Sequence, residues 1–186
     1  RIVEEKDASA QERAVTEINS GIYCFDAAFV FSALDALSRH NAQNEYYLTD
    51  TVAIAAGQGR RVGGVLASSA EEVMGINTRI DLARAYELLR REVLERLMLA
   101  GVTIIDPHHT YVEPEVWVGK DTVIYPNSHF CGATRIGEGC VIEPGCRIVA
   151  STLGDRVVVK STSVIEESVI REGASIGPFA HLRPQS

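Results

Sequence analysis

The sequence predicts three successive parts: an α/β region, one long helix, and a parallel β-helix built from hexapeptides. A period of six marks the last part. Apolar residues stand at Val112, Val118, Ile124, Phe130, Ile136, Ile142, Ile148, Leu153, Val159, Ile165, Ile170, Ile176 and Leu182. The only five-residue steps run from Ile148 to Leu153 and from Ile165 to Ile170. Four residues after most of these comes a small side chain: Thr122, Ser128, Thr134, Cys140, Cys146, Thr152, Ser163, Ala174 and Ala180. A short fixed period of this kind marks a solenoid in which three hexapeptides close one coil, the large residue inside and the small one at the tight corner. Residues 112–186 supply about four such coils. The second observation is a helical stripe directly before the repeat. The third is the alternation of strand-like and helix-like segments before that.

In chain order, residues 1–7 and 18–25 (INSGIYCF) read as strands. Asp26 caps a helix carrying Val30, Ala33, Leu34 and Leu37 at i, i+3, i+4, i+7. Thr49-Asp50 opens a second short helix, which Gly57 and Gly59 end. Residues 62–67 are expected as a strand, followed by a loop to Gly75-Ile76-Asn77. A long helix then covers 78–100, with Leu82, Tyr86, Leu89, Val93 and Leu97 on one face and Arg84, Glu87, Arg91 and Glu95 on the other. Thr78 and Asp81 form a capping box with Asp in the usual Glu position. Lying between an α/β region and a solenoid, this helix reads as a connector. Gly101 breaks it, and Ile104-Ile105-Asp106-Pro107 leads into the repeat. The expected divisions are 1–79, 80–100 and 101–186.

A net charge of −7 argues against nucleic acid as a main partner, so a polyanionic ligand would need a local basic pocket. No apolar run approaches the ~20 residues of a membrane span. The cysteines Cys140 and Cys146 occupy small corner positions of adjacent hexapeptides and read as packing residues; with no CxxC motif, a reducing cytoplasm fits. The chain starts at Arg1 rather than Met, and the last repeat lacks a polar capping segment. Both ends are therefore expected to be cut from a longer chain.

Ordered motifs add a resemblance. They are Ile2-Val3-Glu4 with Lys6-Asp7-Ala8; Glu17-Ile18-Asn19-Ser20-Gly21-Ile22; residues 41–50 (NAQNEYYLTD); Gly75-Ile76-Asn77-Thr78-Arg79; residues 97–102 (LMLAGV) with Asp106-Pro107; and residues 176–184 (IGPFAHLRP). Together they resemble the bacterial family of bifunctional N-acetylglucosamine-1-phosphate uridyltransferase / glucosamine-1-phosphate N-acetyltransferases, over essentially the whole chain. The resemblance implies that 1–79 is the end of a nucleotidyltransferase (uridyltransferase) domain. It implies that 101–186 begins an N-acetyltransferase domain and that the β-helix is left-handed. By the same resemblance the complete enzyme acetylates glucosamine 1-phosphate from acetyl-CoA and joins N-acetylglucosamine 1-phosphate to UTP, with Mg²⁺ as cofactor and a homotrimer assembled through the β-helix.

The family motifs also nominate residues. Asn77 matches the Asn that helps hold Mg²⁺ and contacts the nucleotide sugar; a hard cation bridging phosphates takes few protein oxygens, and a neutral amide can supply one. A helix-capping role is the alternative for Asn77. Glu4 and Asn19 match residues that hydrogen-bond the sugar and its acetamide, for which a carboxylate and an amide are suited; a surface Glu and a turn Asn are the alternatives. Tyr47 and Thr49 are expected in the pocket wall, although Tyr47 could equally be core. Arg183 matches an arginine on the sugar phosphate, where a guanidinium suits bidentate contact. The family's L-R-P-G motif reads Leu182-Arg183-Pro184-Gln185 here, so the Gly is replaced. No catalytic residue is nominated: the acetyltransferase His has no counterpart in this chain, and His108, His109, His129 and His181 read as structural. These residues alone are expected to be inactive. A single-function sugar-1-phosphate nucleotidyltransferase and a non-catalytic trimerising scaffold remain alternatives.

Overall fold

The structure, a computed structural model, describes residues 1–184; the replacement at Gln185 lies outside them. The chain divides into two compact units, Arg1–Gly75 and Ile76–Ser186.

The second unit begins with α4 (Arg79–Leu99), and its N-terminus is the expected capping box: Thr78 accepts from the Asp81 backbone, and Asp81 accepts from the Thr78 backbone. Three parallel sheets follow, each coil adding one strand to each. One sheet carries the inward residues Ile104, Ile124, Ile142, Val159 and Ile176; the next carries Val112, Phe130, Ile148, Ile165 and Leu182; the third carries Val118, Ile136, Leu153 and Ile170. Every one of the thirteen periodic residues lies on a strand, and those from Ile124 to Ile165 are fully buried or nearly so. The solenoid has about five coils rather than about four. Its first strand, Thr103–Ile104, precedes the periodic run, hidden from it by the longer connection through Pro107–His109.

Corners explain the small residues. Thr122, Ser128, Thr134, Cys140, Cys146 and Ser163 are completely buried there. The hydroxyls also serve backbone donors in the next coil: Thr134 Oγ1 accepts from Ser151 N (3.4 Å) and Ser151 Oγ from Ser168 N (3.1 Å). Thr152 is not a corner residue: it is exposed, and Ser151 takes the corner because the five-residue step shortens the turn by one. Cys140 and Cys146 are free thiols pointing at carbonyls of the following coil, and burial pushes both up in pKa. His129 stacks on Tyr111 with ring centroids 4.5 Å apart, and His181 bonds Glu166, which are structural contacts.

The helix stripe is only half used. Arg90, Val93, Leu94 and Leu97 are buried at i, i+3, i+4, i+7, whereas Leu82 and Leu89 remain exposed and Tyr86, whose ring stacks on Tyr111 with centroids 6.5 Å apart, stays more than half exposed, because the buried face is turned away from the expected stripe. Arg90 is the unforeseen member of that face. Its guanidinium donates to the carbonyls of Pro107 and Thr110, pairs with Glu87 and sits 5.5 Å from the Tyr111 ring centre, so a buried charge is fully partnered.

The first unit departs further from expectation. Its helices are α1 (Ala10–Arg13), α2 (Ala27–Leu34) and α3 (Asp50–Gly57). Asp26 caps α2 as expected, but the buried face is Phe29 and Ala33, packed on Ala55 of α3; Leu34 is exposed and Leu37 lies beyond the helix end. The strands expected at 1–7, 18–25 and 62–67 do not form among the described residues. A strand requires a neighbouring backbone to bond, and none lies beside these segments; Val65 is 99% exposed and Ile18 80%.

Candidate functional site: an open polar cleft in the first unit

Four of the six nominated residues converge. An open cleft of the first unit is lined by Glu4, Asn19, Tyr47 and Thr49, together with Gly21, Tyr23, Gln43, Glu45, Tyr46 and Leu48. Three chain segments build it. The first is the stretch up to the 3-10 turn at Glu5–Asp7; the second is the bend at 19–23; the third is the irregular loop ahead of α3.

Hydrogen bonds, rather than apolar packing, tie these segments together. Thr49, buried at the start of α3, donates from Oγ1 to Glu4 Oε1 at 3.1 Å, which leaves Glu4 Oε2 directed by its partner. Asn19 Oδ1 accepts from Gly21 N (3.3 Å), as a turn-forming Asn does, while its Nδ2 donates to the Tyr23 hydroxyl at 2.6 Å. The turn role and the cleft position therefore coexist. Tyr47 is half-buried; its hydroxyl donates to Asp7 Oδ2 (3.1 Å) and accepts from Gln43 Nε2 (2.9 Å). Burial, with the nearby Asp7 and Glu4 carboxylates, holds the Tyr47 phenol above its ordinary pKa. It is not a core tyrosine. The lining carries Glu4 and Glu45 and no basic side chain, so the cleft favours neutral groups rich in donors over bare phosphate oxygens.

Asn77 and Arg183 belong to the second unit. Asn77 is exposed in a shallow recess with Ile76, Thr78, Arg79 and Leu82. Thr78, not Asn77, supplies the cap of α4, so the capping alternative for the Asn77 side chain falls away. Arg183 is exposed just after the last strand, His181–Leu182, and its carbonyl accepts from Ser168 Oγ at 3.0 Å.

The residues fit Mg²⁺ only as a partial site. Asn77 offers one neutral oxygen, and the nearby carboxylate of Asp81 is committed to the Thr78 backbone and hydroxyl, which hold it below the usual carboxylate range. No group of three His, Cys, Asp or Glu converges among the described residues. Mg²⁺ keeps several waters and takes few protein ligands, so a single amide is a chemically reasonable contribution to such a site.

Residues 103–186 match the GMPPB C-terminal domain family. Curated relatives match nearly all of the chain. "Bifunctional protein GlmU" of Pelobacter propionicus is 49% identical over 184 residues, 99% of this chain and 40% of its own length. GlmU of Syntrophotalea carbinolica is 54% identical over 90% of this chain and 36% of its own length; GlmU of Clostridioides difficile is 46% identical over all of this chain and 40% of its own. The chain belongs to the GlmU family. It spans about 40% of the length of these GlmU relatives. A solved perosamine N-acetyltransferase of Caulobacter crescentus, in complex with CoA and GDP-perosamine, matches at 13% identity over 52% of this chain and 59% of that one, with a TM-score of 0.21. Among the described residues, no helix is long and apolar enough to cross a membrane.

Sequence reasoning missed Lys6, Asp7, Gln43 and Tyr23 as parts of the site. Three of them sit inside the motifs that carry the resemblance, which was the available signal; their contacts reach across 37 and 40 residues and leave no periodic trace.

Proposed function

We propose that this chain is part of a bifunctional enzyme that makes UDP-N-acetylglucosamine. The complete protein acetylates glucosamine 1-phosphate from acetyl-CoA and then joins N-acetylglucosamine 1-phosphate to UTP, supplying bacterial cell-wall synthesis in the cytoplasm. The observation that carries the reading is the convergence of Glu4, Asn19, Tyr47 and Thr49 in one cleft of a chain 45–54% identical to bifunctional GlmU proteins. In this reading residues 1–79, Asn77 included, are the end of the uridyltransferase domain. The solenoid is the left-handed start of the acetyltransferase domain and the seat of a homotrimer.

Transfer of a uridylyl group depends on positioning and charge neutralisation. Glu4, oriented by Thr49, accepts from sugar hydroxyls, and Asn19 and Tyr47 bound the sugar on its other sides. Asn77 would hold Mg²⁺ through its amide oxygen, and the bound ion would supply positive charge to neutralise phosphate oxygens. Arg183 contributes a guanidinium toward the phosphate of glucosamine 1-phosphate in the other domain. The test is Asn77→Ala in the full-length enzyme with both half-reactions assayed. Uridylyl transfer should fall by about a hundredfold while acetyl transfer stays within about twofold. Equal losses in both reactions, or an unchanged first reaction, would overturn the assignment.

A further inference from the structure

Two adjacent residues of opposite charge, Lys6 and Asp7, reach the same loop and meet at Tyr47. Lys6 Nζ donates to Gln43 Oε1 at 2.6 Å. A lysine ammonium has only donors, so the oxygen of the Gln43 amide must face it and the amide nitrogen must face the other way. That nitrogen donates to the Tyr47 oxygen at 2.9 Å. With the oxygen accepting there, the hydroxyl proton points to Asp7 Oδ2, 3.1 Å away, and a carboxylate can only accept. The polarity of the whole relay is thus set by its charged ends, cation to anion. Asp7 is anchored in turn: its Oδ1 accepts from the Ala42 backbone at 2.8 Å.

We propose that Lys6, Gln43 and Asp7 are positioning residues that lock the Tyr47 hydroxyl as an acceptor toward ligand, so that the cleft reads the hydroxyl-donor edge of a sugar. Tyr47 has one lone pair left and no proton to give. Glu4 is in the same condition, an acceptor already oriented by the Thr49 hydroxyl. Tyr47 and Glu4 thus present acceptors to a cleft with no cationic side chain in its lining, and they select a ligand group that brings protons. A sugar ring carrying hydroxyls and an amide N–H does so. The Tyr23 hydroxyl, which accepts from Asn19 Nδ2, keeps its own proton for a ligand acceptor beside them. A phosphate, which offers only acceptors when ionised, finds no partner in Tyr47 or Glu4. Burial, with the Asp7 and Glu4 carboxylates, raises the Tyr47 phenol above its already high ordinary value, so the hydroxyl keeps its proton.

This rests on the uridylyl-transfer reading and is tested in the full-length enzyme by steady-state kinetics with N-acetylglucosamine 1-phosphate. Asp7→Asn should raise KM for the sugar phosphate about tenfold, with kcat and KM for UTP changed by less than about twofold. Asp7→Glu, which restores a carboxylate, should recover most of the loss. Tyr47→Phe combined with Asp7→Asn should be no worse than the more severe single change, because both remove one interaction. Analogues with each hydroxyl replaced in turn by fluorine lose a donor while keeping size. At least one position should show a KM penalty of roughly tenfold that disappears in Tyr47→Phe. Fully additive losses, a fall in kcat with KM unchanged, or no fluorine position coupled to Tyr47 would overturn the proposal. An unsubstituted enzyme with no uridylyl transfer would instead overturn the reading beneath it.

Discussion

The two units hold themselves together by different means. In the solenoid a continuous ladder of fully buried aliphatic residues runs through the coils, and each backbone strand is bonded to the one above and below. In the first unit the buried core is Phe29, Ala33 and Ala55, with Phe25 and Ile54 packed at its edge. There the segments that matter are joined by polar side chains from distant parts of the sequence, such as Thr49 to Glu4 and Tyr47 to Asp7. Repetition makes architecture robust but offers the same few side chains over and over. A loosely packed irregular region can bring a carboxylate, an amide and a phenol to one cleft. The candidate site sits where the apolar core is thinnest.

The same truncation made in both regions is the strongest way to break that contrast. Phe130→Ala, at a site with no exposure, should cost about 3–5 kcal/mol because neighbouring coils cannot collapse into the hole. Phe29→Ala should cost roughly half as much, since its ring is already met by the Arg60 guanidinium and borders a small cluster free to relax. Denaturant titrations followed at amides of each unit measure both, and equal costs would erase the distinction. A loss between these two is expected from Gly137→Ala, about 2–3 kcal/mol, read from the same titrations. A Cβ there would lie 2.6 Å from the carbonyl carbon of Gly154 in the next coil.

The opposite sign is expected at Thr162. It is a β-branched residue held at φ 61°, exposed, in the left-handed conformation that precedes a corner. Thr162→Gly should stabilise the solenoid by about 1 kcal/mol, seen as a higher denaturation midpoint. The smallest effect lies in the first unit. Hydrogen bonds from the Ser9 hydroxyl and backbone, then Arg1, lower the Glu12 carboxyl to about 2. A depressed carboxylate contributes stability above its unfolded value and loses it as pH falls toward the folded one. The capping of α1 should therefore weaken between about pH 4.5 and about pH 2, with the Glu12 side-chain carbon titrating in NMR at the lower end. A midpoint near the ordinary Glu value would mean that the box is not formed.

What was legible from sequence follows the same division. The inward residues from Val112 to Leu182 could be read off because a coil repeats one environment at one spacing. Ile104 escaped because the connection through Pro107–His109 breaks the period before it begins. Leu82, Tyr86 and Leu89 carry the right spacing for a buried stripe, but spacing does not say which side of a helix its neighbour covers. The strands expected at 18–25 and 62–67 failed for a related reason: β-rich composition describes a segment, whereas a strand is a relation between two. For the site, motif resemblance nominated Glu4, Asn19, Tyr47 and Thr49. The relay through Lys6, Gln43 and Asp7 depends on which amide atom faces which charge, and no linear pattern records that.

The two five-residue steps stack in the same corner column, where Thr134, Ser151 and Ser168 follow one another. In the vocabulary of crystals this is a dislocation. One residue is missing from the corner at Ser151, and the Ala150 backbone still bonds across the mismatch to the Cys131 carbonyl at 3.1 Å. The next coil copies the shorter gauge at Ser168, and the Glu167 backbone bonds to the Val149 carbonyl at 3.0 Å. A change of length in one coil is thereby handed on as the template of its successor, leaving the other two edges of the prism in register. Such a fold inherits its errors in columns, and a deletion is tolerated when its neighbour repeats it.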